Sequence, residues 1–255
     1  MKPESQPVLS ARGMSKHYGP IVACDGVDID IHAGSLTAIV GDNGAGKTTL
    51  LKLLCGAVTP DSGQITLRGI PVRFSGPLDA RSKGVEAVYQ SLALAPNLCA
   101  ADNIYLGRER VRRVLGIPFI RRLDERTMYA STAEVITRLK VNIPDLRGVP
   151  VGQMSGGQQQ CVAIARAAHW ASDVLFMDEP TAALGVRESK AVLDLVVSIK
   201  EQGVAVVMIS HILPHVIELA DNVVVMRHGK NAATLTKADL TMDGLVRLIV
   251  GIEEG

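Results

Sequence analysis

The chain is expected to be an α/β protein with a mostly parallel sheet, an antiparallel β part at its N-terminus and a helical subdomain inserted into the core. Three observations carry that expectation. A glycine-rich stretch, Gly41-Asp42-Asn43-Gly44-Ala45-Gly46-Lys47-Thr48-Thr49, lies between an apolar run and a helix-like run. From Val174 onward, apolar runs of strand length alternate with helical patterns. Between about Leu92 and Ala168 the strand signals fade and helical ones replace them. The whole chain, 1–255, reads as one domain with the helical subdomain at about 92–168.

Composition fits that frame. Hydrophobic residues make up 47% of 255 residues, enough for a sizeable core. The net charge is +1 and aromatics are 3%, so nothing in bulk points to nucleic acid. Cys24, Cys55, Cys99 and Cys161 are isolated, as expected of reduced thiols. The opening residues lack an apolar segment, so no signal peptide is expected. No apolar run reaches the ~20 residues that span a bilayer, so any membrane role goes through a partner. No regulatory domain is expected after the last helix.

In chain order, Val8–Ala11 and Val27–His32 read as antiparallel strands. Val27, Ile29 and Ile31 alternate with polar residues in the second. Tyr18 falls in the turn Lys16-His17-Tyr18-Gly19, where it either caps the core edge or stacks on a base. Ser35–Val40 reads as a buried strand. The glycine stretch after it matches G-x-x-x-x-G-K-[ST], the phosphate-binding loop. Its glycines let successive N–H groups turn toward phosphate oxygens, and the helix that starts at Lys47 adds a partial positive charge. Lys47 can reach the β- and γ-phosphates, and the Thr48 hydroxyl can hold Mg²⁺. Leu50, Leu51, Leu53 and Leu54 give that helix its apolar face. Pro60-Asp61-Ser62-Gly63 signals a turn. Strands are expected at Gln64–Leu67, Pro71–Phe74 and Val85–Tyr89, the last ending at Gln90, a polar residue placed to face a ligand or simply solvated.

In the helical region Asp124 caps a helix whose Met128, Val135, Ile136 and Leu139 share one face. Arg108, Arg110, Arg112, Arg113, Arg121, Arg122 and Arg126 surround the apolar patch Ile117-Pro118-Phe119-Ile120. They read as a solvated basic face or as a docking surface for a partner or anionic lipid. Ser155-Gly156-Gly157-Gln158 opens the next helix. Ser155 caps it and the glycines expose N–H groups, a second anion site. Val174–Met177 is a buried parallel strand that delivers Asp178 and Glu179 at its end. Asp178 can support Mg²⁺, and Glu179 can orient or deprotonate an attacking water. Helices follow at Ser189–Glu201, Val216–Ala220 and Leu245–Val250, with strands at Val204–Ile209 and Asn222–Met226. His211 follows the first of these strands and is either a structural histidine or a γ-phosphate contact.

The order phosphate loop, Gln90, Met154-Ser155-Gly156-Gly157-Gln158, Met177-Asp178-Glu179-Pro180, His211 resembles an ABC-type ATPase domain over nearly the whole chain. That resemblance implies the P-loop NTPase core of an ABC ATPase and a head-to-tail homodimer holding two ATP with Mg²⁺. Each ATP would lie between one chain's Lys47 loop and the other's Ser155-Gly156-Gly157. Tyr18 would stack on adenine, Gln90 would touch Mg²⁺, Glu179 would be the base and His211 the γ-phosphate contact. The stretches Glu179-Pro180-Thr181-Ala182-Ala183-Leu184-Gly185 and Ile209-Ser210-His211-Ile212-Leu213-Pro214-His215-Val216 are similar to the ATPases of monosaccharide importers, the ribose, xylose and fructose group. The family usually has Asp where Gly185 stands and Leu where Met154 stands. The implied function is ATP-driven solute import on the cytoplasmic face of the cell membrane. The implied partners are two integral membrane permease subunits and, indirectly, a periplasmic or extracellular solute-binding protein, with no nucleic acid. A soluble assembly ATPase of the iron–sulfur type is the alternative.

Overall fold

The computed structural model describes residues 6–113, 121–143 and 145–252. In order these form β1 (Leu9–Tyr18), β2 (Ile21–Ile31), β3 (Leu36–Gly41), α1 (Lys47–Leu54), β4 (Ser62–Leu67), β5 (Ile70–Val72), α2 (Pro77–Ser82), β6 (Val85–Val88) and α3 (Ala100–Tyr105). Then come β7 (Val111–Arg113), β8 (Arg121–Leu123), α4 (Glu125–Arg138), α5 (Gly156–Trp170), β9 (Val174–Asp178) and α6 (Val186–Glu201). The last are β10 (Ala205–Ile209), α7 (Leu213–Leu219), β11 (Asn222–Arg227), β12 (Lys230–Thr236) and α8 (Met242–Val250). The fold divides into two compact units. One comprises Met1–Gln90, Trp170–Ala182 and Ile199–Gly255, and the other Ser91–His169 and Ala183–Ser198.

The first unit holds two sheets. A six-stranded sheet runs β12-β11-β3-β10-β9-β6. Its interior pairings are parallel, and β12 closes one edge antiparallel to β11. β9 and β10 are buried at every position, which is why they read as unbroken apolar runs and not as alternating ones. A four-stranded antiparallel sheet runs β2-β1-β4-β5. The two share one core: Leu9, Met14, Ile29 and Ile31 cluster with Leu50, Leu51 and Leu54 of α1 and with Phe176 and Val207. The leucine face of α1 is therefore clamped from both sides, which fixes the glycine loop at its N-terminus.

The second unit contains α3, α4, most of α5 and the hairpin β7–β8. Asp124 caps α4, accepting from the Thr127 N–H at 3.3 Å, and Met128, Val135, Ile136 and Leu139 are buried. In α5 the run Cys161–Ala165 is buried. Asn103, fully buried, ties the loop before α3 together. It takes the Ala95 N–H at 2.8 Å and donates to the Ala95 and Cys99 carbonyls at 3.0 Å.

Several expectations are corrected. Tyr18 is not in a turn. β1 runs through it and pairs it with Ile21, leaving a two-residue Gly19-Pro20 connection. β2 begins at Ile21, six residues before the Val27 expected. The region after Leu92 is not purely helical, because β7 and β8 pair antiparallel within it. Short polar strands such as Val111-Arg112-Arg113 carry no period-2 signal. β12, with an alternating exposed and half-buried pattern, also went unread, as did the six-residue helices α2 and α3. The apolar patch Ile117–Ile120 lies outside the described residues.

Candidate functional site

A cavity of about 350 Å³ opens at the N-terminus of α1, lined by Tyr18, Ile21, Val22, Ala23, the loop from Asn43 to Thr49, and Glu179. Two glycines are required there for steric reasons. Gly46 sits at φ 99°, and a side chain on it would run into the Ala23 carbonyl oxygen. Gly41 at φ 149° leaves equally little room beside the Met226 carbonyl oxygen. The loop thus threads between the backbones of β2 and β11 and cannot accept a Cβ at either point. Asn43 N–H is held by the Asp42 carboxylate at 2.7 Å and Ala45 N–H by the Asp42 carbonyl at 3.1 Å. The first-turn N–H groups of α1 have no carbonyl a turn before them. The helix has no side-chain cap at Gly46 and no acid in its first turn, so its positive end is left to an external anion.

Lys47 is buried, and its Nζ donates to the Gly41 and Asp42 carbonyls at 3.0 and 2.8 Å. Burial pushes its ammonium below the ordinary lysine range. The neighbouring charges of Glu179, Asp42 and Asp178 act in the opposite direction. Asp178, the last residue of β9, is buried, and this raises its carboxyl above the usual range, while a hydrogen bond from Thr48 lowers it. A hydroxyl and a carboxylate oxygen thus face each other at the start of α1. Glu179 follows at φ 51°. Its N–H donates to the Ile209 carbonyl at 3.0 Å, across to the end of β10. Its Oε1 lies 3.2 Å from His211 Nδ1. Tyr18, 45% exposed, stands at the cavity mouth. Gln90, two residues past β6, is exposed and makes no hydrogen bond among the described residues.

Ser155, Gly156, Gly157 and Gln158 belong to the second unit. Ser155 N–H donates to Gln158 Oε1 at 2.9 Å and Gln158 N–H to Ser155 Oγ at 3.3 Å, a reciprocal cap on α5. A side chain on Gly157 would meet Glu188 Cβ at 2.7 Å, and Glu188 Oε2 accepts the Gly185 N–H at 3.2 Å. Glu188 therefore braces both the glycine pair and the turn at Gly185. Sequence reasoning missed it; the signal available was an acid in the first turn of α6. It also missed the wall Ile21-Val22-Ala23, and Cys55, whose Sγ lies 3.2 Å from the Tyr89 hydroxyl beside Gln90.

The chain that carries this cavity resembles known proteins. A family model described as ABC transporter matches residues 24–182. The chain belongs to the ABC transporter family. It is 44% identical over 250 residues to the fructose import ATP-binding protein FrcA of Rhizobium meliloti, covering 98% of this chain and 96% of that one. It is 40% identical to the ribose import ATP-binding protein RbsA of Yersinia pestis, covering 96% of this chain but 46% of that one, so it spans about half the length of such relatives. The fold is that of ABC cassettes. A crystal structure of a nucleotide-free ATP-binding cassette from an ABC transporter superposes with a TM-score of 0.80 at 24% identity, over 97% of this chain and 99% of that one.

Proposed function

We propose that this chain is the ATP-hydrolysing subunit of an ABC importer for a monosaccharide, peripheral to the cytoplasmic face of the membrane. The observation that carries the reading is the cavity at the free end of α1, with Glu179 in its wall, in a chain that matches a fructose import ATP-binding protein along nearly its whole length. The assembly-ATPase alternative has no such support.

The residues present fit a nucleotide polyphosphate, because an anion is the partner that the unpaired N–H groups and buried ammonium lack. They also fit a magnesium ion in part: Thr48 and Asp178 supply hard oxygen donors, and phosphate and water supply the rest. When bound, the ion neutralises charge on the phosphates. Lys47 leaves its loop carbonyls for the β- and γ-phosphates. Tyr18 stacks on the adenine, and Gln90 would help hold the ion and couple the site to the second unit. Glu179 accepts the proton of the attacking water, with His211 holding that carboxylate and contacting the γ-phosphate. Ser155, Gly156, Gly157 and Gln158 close over the ATP of a second copy in a head-to-tail homodimer. Two permease subunits take up the motion, and a solute-binding protein delivers the sugar.

Capture of the tagged chain from gently solubilised native membranes tests the assignment. An integral membrane partner is the expected result, and an exclusively soluble partner set overturns it. The composite site has its own test. Ser155→Arg blocks ATP-driven dimerisation in light scattering while monomers still bind ATP; undiminished dimerisation refutes the shared site.

A further inference from the structure

The turn Pro60-Asp61-Ser62-Gly63 enters β4 beside the end of β1. Pairing of β1 with β4 stops at Ser15 opposite Ser62, so Lys16, His17 and Tyr18 run on past the start of β4. Toward β2 the register shifts twice between Met14 and His17. The end of β1 is thus held less regularly than a plain ladder would hold it. Asp61, one residue before β4, takes over from the ladder. Its N–H donates to the Ser15 carbonyl at 3.0 Å. Its carboxylate accepts the His17 N–H and Lys16 Nζ, each at 2.7 Å, and lies 3.3 Å from His17 Nδ1. These contacts, the Lys16 bond foremost, hold the Asp61 carboxyl down at about 2, so it is charged at neutral pH. Lys16 Nζ in turn stands 5.8 Å from the centroid of the Tyr18 ring, within reach of a cation–π contact. Tyr18 lines the cavity at the phosphate loop, and Lys16 does not.

We propose that Asp61 is a positioning residue for the nucleotide base: it holds Lys16 against Tyr18, so that the ring is set in advance to stack on the adenine of ATP. A ring whose orientation is fixed before binding loses less freedom on binding. The ammonium also draws on the negative charge of the ring face, which favours an electron-rich purine stacked against it. Asp61 is exposed, and an exposed ion pair adds little to folding, so the fold alone gains little from this clamp. The inference rests on the reading of Tyr18 as the base contact. It adds a part for a turn that lies outside the cavity and is remote from the phosphate chemistry.

The test compares binding of magnesium ATP with binding of magnesium tripolyphosphate, which carries phosphates but no base, to the full chain and its variants. Asp61→Ala and Lys16→Met are each expected to weaken ATP binding about two- to fivefold. Tyr18→Ala weakens it at least about fivefold. Tripolyphosphate binding stays within about twofold of the unaltered chain in all three. Asp61→Ala/Tyr18→Ala binds ATP no more weakly than Tyr18→Ala, because the clamp has no ring left to hold. In turnover the Asp61→Ala loss falls on KM and not on kcat. Equal loss of ATP and tripolyphosphate in Asp61→Ala marks a fold defect and overturns the proposal. Losses that add in the double variant overturn it too, as does unaltered ATP binding in Asp61→Ala beside a weakened Tyr18→Ala. Undiminished ATP binding in Tyr18→Ala removes Tyr18 as the base contact and the proposal with it. No ATP binding by the unaltered chain refutes the nucleotide reading itself.

Discussion

Glu179→Gln separates chemistry from architecture at this site. The substitution keeps side-chain length and leaves the backbone bond from residue 179 to Ile209 in place. Glutamine is no worse than glutamate at φ 51°, because neither is branched at Cβ. What is lost is the carboxylate that faces His211 at 3.2 Å. That pair is worth little to folding: His211 is 57% exposed, and exposed pairs contribute at most about 1 kcal/mol. A general base contributes about 10²–10⁴-fold, or roughly 3–5 kcal/mol of barrier. The catalytic effect therefore exceeds the structural one several times over. ATP affinity should hold or improve, since a negative charge is removed from the wall of the cavity proposed to receive the phosphates. The assay pairs phosphate release at saturating ATP with nucleotide binding and a melting curve. The expectation is turnover down at least ~10²-fold, binding retained, and a melting temperature within a few degrees. Turnover within about fivefold of the parent removes Glu179 as the base. Turnover and binding lost together make it a structural residue.

Three further outcomes follow from the same geometry. Gly46→Ala forces a Cβ against the Ala23 carbonyl at φ 99°, so a loss of about 2 kcal/mol or more in urea unfolding is expected, with ATP binding abolished; a stable, ATP-binding variant refutes the threading argument. Asp178→Asn should raise the melting temperature of the nucleotide-free chain at neutral pH. Burial lifts the Asp178 carboxyl, so its contribution to stability is complete below the unfolded value of about 3.9 and is lost as pH rises through the higher folded value. The gain vanishes below pH ~4; a lower melting temperature at neutral pH shows the charge to be stabilising. Tyr89→Phe deletes the contact with Cys55 that anchors the residue before Gln90, a hydrogen bond worth about 1 kcal/mol. Up to about a fivefold rise in the Mg²⁺ needed for half-maximal turnover is expected, with ATP binding unchanged, and an unaltered Mg²⁺ profile discards the link.

Where a pattern was long or chemically specific, the chain was legible. The buried strands β9 and β10, β3 up to Val40 and the leucine face of α1 declared themselves by apolar runs, and the glycine loop by its spacing. What stayed hidden was set by pairing. The polar end of β1, from Lys16 to Tyr18, has no alternation of its own and becomes strand because β2 lies opposite it. β7 and β8 are three residues each, too short for any period, and only their register reveals arginine facing arginine. The contact of Cys55 with Tyr89 joins residues 34 apart, which no local spacing announces.

The backbone at Glu179 shapes the candidate site in a way that residue spacing does not reveal. A non-glycine residue in the left-handed region costs about 1–2 kcal/mol. Glu179 adopts it at φ 51°, and Ala183 at φ 60° follows four residues on. Local propensity alone favours glycine at both. The conformation persists because the Glu179 N–H is taken by Ile209 across the sheet and the Ala182 N–H closes back on the Glu179 carbonyl at 3.1 Å. Those bonds turn the chain sharply as it leaves β9 and bring the carboxylate to the cavity wall, whereas Asp178, still in the strand, points at Thr48. The pleat alone would have separated the two acids but would not have aimed the second. Glu179→Gly should therefore ease the strain while removing the carboxylate proposed as the base. A variant that is both more stable and inactive would show that the fold gives up stability here to hold one carboxylate.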